Sequence, residues 1–324
     1  MNRLCNDVKE IIIGYLDVND WEDASLALQC EISTATKRRK ILEHIKVDTS
    51  NYSSDELVKL VENGEINIAS IVNPSEELIF AALNSNGDNI RFVSNPTEEM
   101  CTFVVEEYEY TIRYIDNPSE AVCLKAVERL PSTIKYIKNP SEDVCMTVAK
   151  SNGPMIRYMK NPTEAVMKAA LKTCGFAIEY IKNPSEEMCL IAVTESPGVI
   201  DYITNPSEAV CLKAVERLPS AIKYINNPSE GVCLKAVERL PSAIKYIKNP
   251  SEAVCLAAVK QDGKSILYID NPSEALWVTA FKSYPYALVS EKTNIENVSE
   301  DTYLLAIKLG IDPRNLVSYK SKIK

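Results

Sequence analysis

Histidine is almost missing from this chain: His44 is the single one among 324 residues. That removes most zinc geometries and any Cys–His pairing of nucleophile and base. Glycine is scarce too, with nine residues, and none of them builds a phosphate-cradling loop or a nucleophile elbow. No apolar run approaches the ~18 residues that a membrane-crossing helix needs, and Met1-Asn2-Arg3-Leu4-Cys5 does not read as a secretory signal. There is no Cys-x-x-Cys pair among ten cysteines. Basic residues are in deficit, 36 against 45 acidic for a net charge of −9, and the acids recur along the chain instead of gathering in a tail. A nucleic-acid partner is therefore disfavoured, since such binding usually needs a net basic face. These absences lead to the expectation of a soluble, cytoplasmic protein that is not an enzyme and has no catalytic residue, metal, cofactor or membrane partner.

What the chain does have is repetition. Asn-Pro-Ser/Thr-Glu recurs at Asn73, Asn95, Asn117, Asn139, Asn161, Asn183, Asn205, Asn227, Asn249 and Asn271, each 22 residues after the last. A fixed period of that length means stacked supersecondary units. In the repeat that opens at Asn205, Asn205 reads as a helix N-cap, Pro206 as the first helical residue, and Glu208 as the partner in a capping-box-like start. Val210, Cys211, Ala214, Val215 and Leu218 share one broad arc at 100° per residue, with Ala209, Lys213, Glu216 and Arg217 opposite. At the fifteenth place stands Gly (Gly87, Gly153, Gly175, Gly263) or Pro (Pro131, Pro197, Pro219, Pro241), which predicts a helix stop through a left-handed residue or a lost donor. Ala221-Ile222-Lys223-Tyr224-Ile225 then supplies about one and a half turns of a second helix. One long and one short helix per repeat, neither able to bury its apolar side alone, predict an all-α fold, an α-solenoid of tandem two-helix repeats. At roughly 8–10 Å between packed helices, the array would be a curved rod about 100 Å long. The apolar fraction of 46% is ample for its continuous core.

Seven cysteines, Cys101, Cys123, Cys145, Cys189, Cys211, Cys233 and Cys255, share one place in the repeat. Equivalent atoms in neighbouring repeats sit about one helix spacing apart, beyond the ~7 Å Cα limit for a disulfide, so these residues read as small buried hydrophobes.

The repeat fixes the domain reading. Residues 1–50 lack it and read as helix, polar turn, helix, then Lys37-Arg38-Arg39-Lys40 before a third helix with Ile41, Leu42 and Ile45, a basic run that reads as a solvated helix face, with nuclear import as the alternative. Residues 51–318 hold about twelve repeats, ten regular from Asn73, a degenerate first at Asn51 and a degenerate last at Asn297, as an array needs to cap its core. Residues 319–324 are a polar tail. Repeats 117–138, 205–226 and 227–248 are nearly identical, whereas 73–116 and 139–204 diverge, and the divergent ones are where a specific partner would be read.

The candidate site is a stripe. The twentieth place is aromatic nine times running, at Phe92, Tyr114, Tyr136, Tyr158, Tyr180, Tyr202, Tyr224, Tyr246 and Tyr268. The residue before it is basic at Arg91, Arg113, Lys135, Arg157, Lys223 and Lys245, but Glu179, Asp201 and Leu267 interrupt. One reading is an aromatic and basic stripe that grips a partner peptide or stacks on bases. The other is that each ring packs between repeats and points its hydroxyl outward. The acidic interruptions spoil a phosphate track.

The repeat Asn249-Pro250-Ser251-Glu252 to Gln261-Asp262-Gly263, followed by Ile266, Tyr268 and Ile269, resembles a family of short repeats of unknown function from giant DNA viruses, bacteriophages and some bacteria. The resemblance spans about residues 51–318 and implies a viral or microbial origin, a host-cell location and no enzymatic activity. Val8 to Ile32, with Tyr15-Leu16, Asp17-Val18-Asn19-Asp20-Trp21 and Leu26-Ala27-Leu28-Gln29-Cys30, resembles an F-box whose usual Leu-Pro opening is absent. That resemblance implies a Skp1-like adaptor as partner and a substrate receptor for a ubiquitin ligase; the plain alternative is a capping helical subdomain. The leading expectation is a non-catalytic scaffold that binds another protein along one lateral surface, as adaptor, inhibitor or structural component. A nucleic-acid-binding solenoid is the remaining alternative.

Overall fold

A computed structural model describes residues 47–284, 287 and 300–310. The expectations for residues 8–32, for Lys37-Arg38-Arg39-Lys40 and for the tail lie outside the described residues. Among those described there is no strand, and tandem helical repeats form the predicted solenoid. They fall into two compact parts, divided in sequence between Val144 and Cys145.

The α-helices of the first part are α1 (Ser54–Glu62), α2 (Glu76–Ser85), α3 (Glu98–Glu107) and α4 (Glu120–Arg129). Helix α5 (Glu142–Ser151) straddles the division. The second part continues with α6 (Glu164–Thr173), α7 (Glu186–Glu195), α8 (Glu208–Arg217), α9 (Glu230–Arg239), α10 (Glu252–Gln261), α11 (Glu274–Ser283) and α12 (Glu300–Lys308). After each regular helix as far as α10 comes a short 3₁₀-helix ending at the aromatic place, for instance Pro131–Tyr136, Gly175–Tyr180 and Pro219–Tyr224. Within each part, successive α-helices pack on one another, and so do successive 3₁₀-helices. The result is two layers with the core between them. The longest described helix has ten residues, and no described helix is long and apolar enough to cross a membrane.

Each repeat puts the same side chains inside. In α8 these are Val210, Cys211, Ala214 and Val215; Ala221, Ile222 and Ile225 follow from the 3₁₀-helix and its end. Full burial of one such Val or Ile contributes about 1.5–3 kcal/mol, and Ala at the closest contact lets the helices approach. Leu218, expected in this set, is exposed instead. It is the residue that ends α8, with extended backbone (φ −141°, ψ 96°) that turns its side chain off the helical arc.

The helix start differs from the sequence expectation by two residues. Ser207, not Asn205, is the N-cap: its Oγ accepts the Val210 N–H at 3.3 Å, and Glu208 is the first helical residue. Asn205 stands at φ 52°, the left-handed region that Asn tolerates better than most residues, and the same holds for Asn73, Asn95, Asn117, Asn183, Asn227, Asn249 and Asn271. Asn-Pro is thus the turn before the helix. Glu208 closes no capping box and instead accepts the Ser229 hydroxyl of the next repeat at 2.7 Å. The same link joins Ser119 to Glu98 at 2.7 Å, Ser273 to Glu252 at 2.6 Å, Ser207 to Glu186 and Ser251 to Glu230. Each of these five serines therefore donates to its neighbour while it accepts within its own helix.

The far end of the helix is tied in the same way. The thirteenth place donates to a carbonyl at the end of the preceding helix: Ser85 to Glu62, Arg129 to Glu107, Thr173 to Ala149, Arg217 to Thr194 and Gln261 to Glu238, at 2.8–3.3 Å. These carbonyls are ones that the helix itself leaves without a partner. The fifteenth place also corrects the expectation. It is the first residue of the 3₁₀-helix, and Gly87, Gly153, Gly175 and Gly263 have no positive φ. Their glycine is required by close approach: a Cβ on Gly153 would lie 2.3 Å from the Ala170 carbonyl oxygen, and on Gly175 2.4 Å from that of Ala192.

The repeated cysteines are free and buried. Burial first, then the first-turn glutamate of the same helix, raises the pKa of Cys123, Cys211 and Cys233 above the ordinary thiol value. They remain thiols, so nucleophilic chemistry is suppressed.

Candidate interaction face

The 3₁₀ layer displays the predicted stripe. Its short helices bury the eighteenth-place isoleucine, such as Ile222 or Ile244, and leave the nineteenth and twentieth places exposed or half-buried, Arg91 and Leu267 among the half-buried ones. Tyr158, Tyr180, Tyr202, Tyr224, Tyr246 and Tyr268 are exposed in the second part, whereas Phe92, Tyr114 and Tyr136 are half-buried in the first. Exposure along the row is therefore partial: no ring of the stripe is fully buried.

The basic residue of the stripe covers the ring beside it. Arg91 lies 4.6 Å from the Phe92 centroid, Arg113 4.5 Å from Tyr114, Lys135 4.8 Å from Tyr136, Arg157 4.7 Å from Tyr158, Lys223 4.5 Å from Tyr224 and Lys245 4.8 Å from Tyr246. Some reach the next repeat as well, Arg91 at 5.3 Å from Tyr114 and Lys245 at 5.9 Å from Tyr268. Arg157 donates to the Tyr158 hydroxyl at 2.9 Å, and its hydrogen bonds to Tyr158 and then Tyr180 raise its pKa. The hydrogen bond with Tyr224 raises that of Lys223. Asp88 joins the row by pairing with Arg113 at 3.7 Å and accepting the Tyr114 hydroxyl at 3.4 Å. These contacts lie at or near the surface. They hold the rings in fixed orientations.

Sequence reasoning missed the sixteenth place. Tyr110 meets Tyr136 edge-on at 6.0 Å, and Phe176 meets Tyr202 in the same way at 6.1 Å. The sequence signal was there, since this place is aromatic only at Tyr110, Phe176 and Tyr286 among the ten regular repeats. Tyr286 lies outside the described residues.

Between neighbouring repeats of the second part, grooves run beside Tyr202, Tyr224 and Tyr246. One of 590 Å³ is lined by Glu179, Glu186 and Tyr202, one of 560 Å³ by Asp201, Glu208 and Tyr224, and one of 400 Å³ by Lys223, Glu230, Tyr246 and Lys248. The two proline turns of the flanking repeats and a buried cysteine complete each wall. Among the described residues no three His, Cys, Asp or Glu side chains cluster so as to hold a metal ion. No protein-family model, curated protein or solved structure matches the chain.

Proposed function

We propose that this chain is a non-catalytic repeat scaffold that binds another protein through its 3₁₀ face, in the viral or phage setting that its repeat signature suggests. The observation that carries the reading is the row of exposed tyrosines whose rings are oriented by cations and by neighbouring rings. A tyrosine offers a large amphipathic contact and has two side-chain torsions to order, so a row already held in place loses little entropy on binding. The carboxylates of Glu179 and Asp201 within the row, with the net charge of −9, favour a protein over a nucleic acid.

The test is capture from host lysate by the tagged full chain, with nuclease present, against the variant Tyr158→Ala/Tyr180→Ala/Tyr202→Ala. Loss of about tenfold or more of the captured partner, with an unchanged melting profile, is expected. Undiminished capture by the variant, or capture that nuclease abolishes, would sink the proposal.

A further inference from the structure

The stripe is interrupted where its rings are most exposed. Tyr202 is 49% exposed and Phe176 46%. The two rings stand edge-to-face at 74°, nearly the arrangement of Tyr110 and Tyr136 at 82°. In the Tyr110–Tyr136 pair a cation fills the corner: the Lys135 ammonium lies 5.2 Å from one centroid and 4.8 Å from the other. The residue that corresponds to Lys135 beside Tyr202 is Asp201, and the one a repeat earlier is Glu179. The corresponding two-ring corner therefore lacks its cation, and the stripe places that would supply one hold carboxylates instead.

No neighbour makes up the deficit. Arg157 is engaged by Tyr158 and Tyr180, and Lys223 covers Tyr224. Glu179 and Asp201 form no ion pair among the described residues. Glu186, in the same groove, is occupied by the Ser207 hydroxyl. The 590 Å³ groove beside Tyr202 and the 560 Å³ groove that follows contain acids and no basic residue, whereas the 400 Å³ groove one repeat further on has Lys223 and Lys248 in its wall. Glu179 and Tyr202 thus face one open groove, and Asp201 faces the next.

We infer that the corner formed by Phe176, Tyr202, Glu179 and Asp201 receives a lysine or arginine side chain from a basic segment of the partner protein. This inference rests on the proposed scaffold role and names the partner's chemistry. The aliphatic stem of the incoming side chain packs on Phe176, its charged head lies against the Tyr202 face, and the two carboxylates satisfy its N–H donors. The second acidic groove, at Asp201, takes another cation of the same segment. Repeats stack at roughly 8–10 Å, and an extended chain advances ~3.3 Å per residue. Two basic residues at i and i+3 therefore match two consecutive grooves.

The experiment uses the full chain and a fluorescent Gly/Ser peptide with arginine at i and i+3, read by polarisation, beside a peptide with glutamine at those places. The variant Glu179→Lys/Asp201→Lys installs the residue type that the neighbouring repeats already have at this place, as in Lys223 and Lys245, so it keeps the fold. The variant Glu195→Lys/Glu238→Lys makes the same change of net charge on the α-helical face. Expected are binding of the arginine peptide at least about tenfold tighter than the glutamine peptide, its loss in Glu179→Lys/Asp201→Lys and in Tyr202→Ala, and its retention in Glu195→Lys/Glu238→Lys. Absent binding of the arginine peptide, equal binding of the two peptides, or equal losses in the two lysine variants would each overturn the inference. If lysate capture still depends on Tyr158, Tyr180 and Tyr202 while the arginine peptide fails to bind, the inference falls and the scaffold reading stands; capture that ignores those tyrosines removes the reading itself.

Discussion

Gly153→Ala is expected to destabilise the stack by about 1–3 kcal/mol, while Gly198→Ala changes it by less than about 0.5 kcal/mol. Both glycines lie in the first two positions of a 3₁₀-helix, and both substitutions add one methyl group. The Gly153 methyl would sit 2.3 Å from the Ala170 carbonyl oxygen and 3.1 Å from its carbon, whereas nothing lies within 4 Å of the Gly198 position. The struck oxygen already accepts the Cys174 N–H at 2.9 Å, the bond that ends α6. Backbone cannot swing aside as a side chain would, so the repeats must separate or that end of the helix must unwind. Pro219 and Pro241 place a Cβ at the equivalent position elsewhere, so the constraint belongs to the packing of the glycine-bearing repeats. Denaturant titration of the two variants measures the difference. Equal stability would mean that the close approach relaxes at little cost.

A still larger loss, about 2–5 kcal/mol, is expected for Ile222→Ala. Ile222 is 1% exposed and sits between the two layers, so the substitution removes three buried carbons and leaves a void. Because an array is held by contacts between neighbours, the damage should be local. Hydrogen exchange should accelerate first in residues 205–248 and only later in repeats remote from them. Uniform acceleration along the second part would instead show that it opens as one cooperative unit.

The period and the layered stack were legible in the sequence because the same apolar places recur every 22 residues, and stacking is the only way to cover them. The register of the helix start was not. Asn-Pro-Ser-Glu offers two acceptable N-caps, Asn followed by Pro or Ser followed by Glu, and local propensity favours both. What decides between them is tertiary: with Ser207 as cap, Glu208 is placed to accept Ser229 from the next repeat, a bond invisible within one repeat. Leu218 was misplaced for a related reason, since arc arguments assume that the helix continues, and it ends there. The stripe was readable because its place is aromatic in nine consecutive repeats. Its gap was not, because Glu179 and Asp201 look like mere interruptions until Phe176 is seen edge-on to Tyr202. The glycines illustrate the same limit: sequence identifies a special residue, and only packing shows that space, not a left-handed backbone, is what it supplies.

The most direct test of the two-faced scaffold is a footprint of the full chain, free and bound to its captured partner, by tyrosine nitration and lysine acetylation with mass-spectrometric readout. Tyr158, Tyr180 and Tyr202 should react in the free chain and be protected in the complex, while Lys172 and Lys260, exposed on α6 and α10, react equally in both. Protection of those lysines with the tyrosines still reactive would place the partner on the α-helical layer and contradict the assignment of the 3₁₀ face.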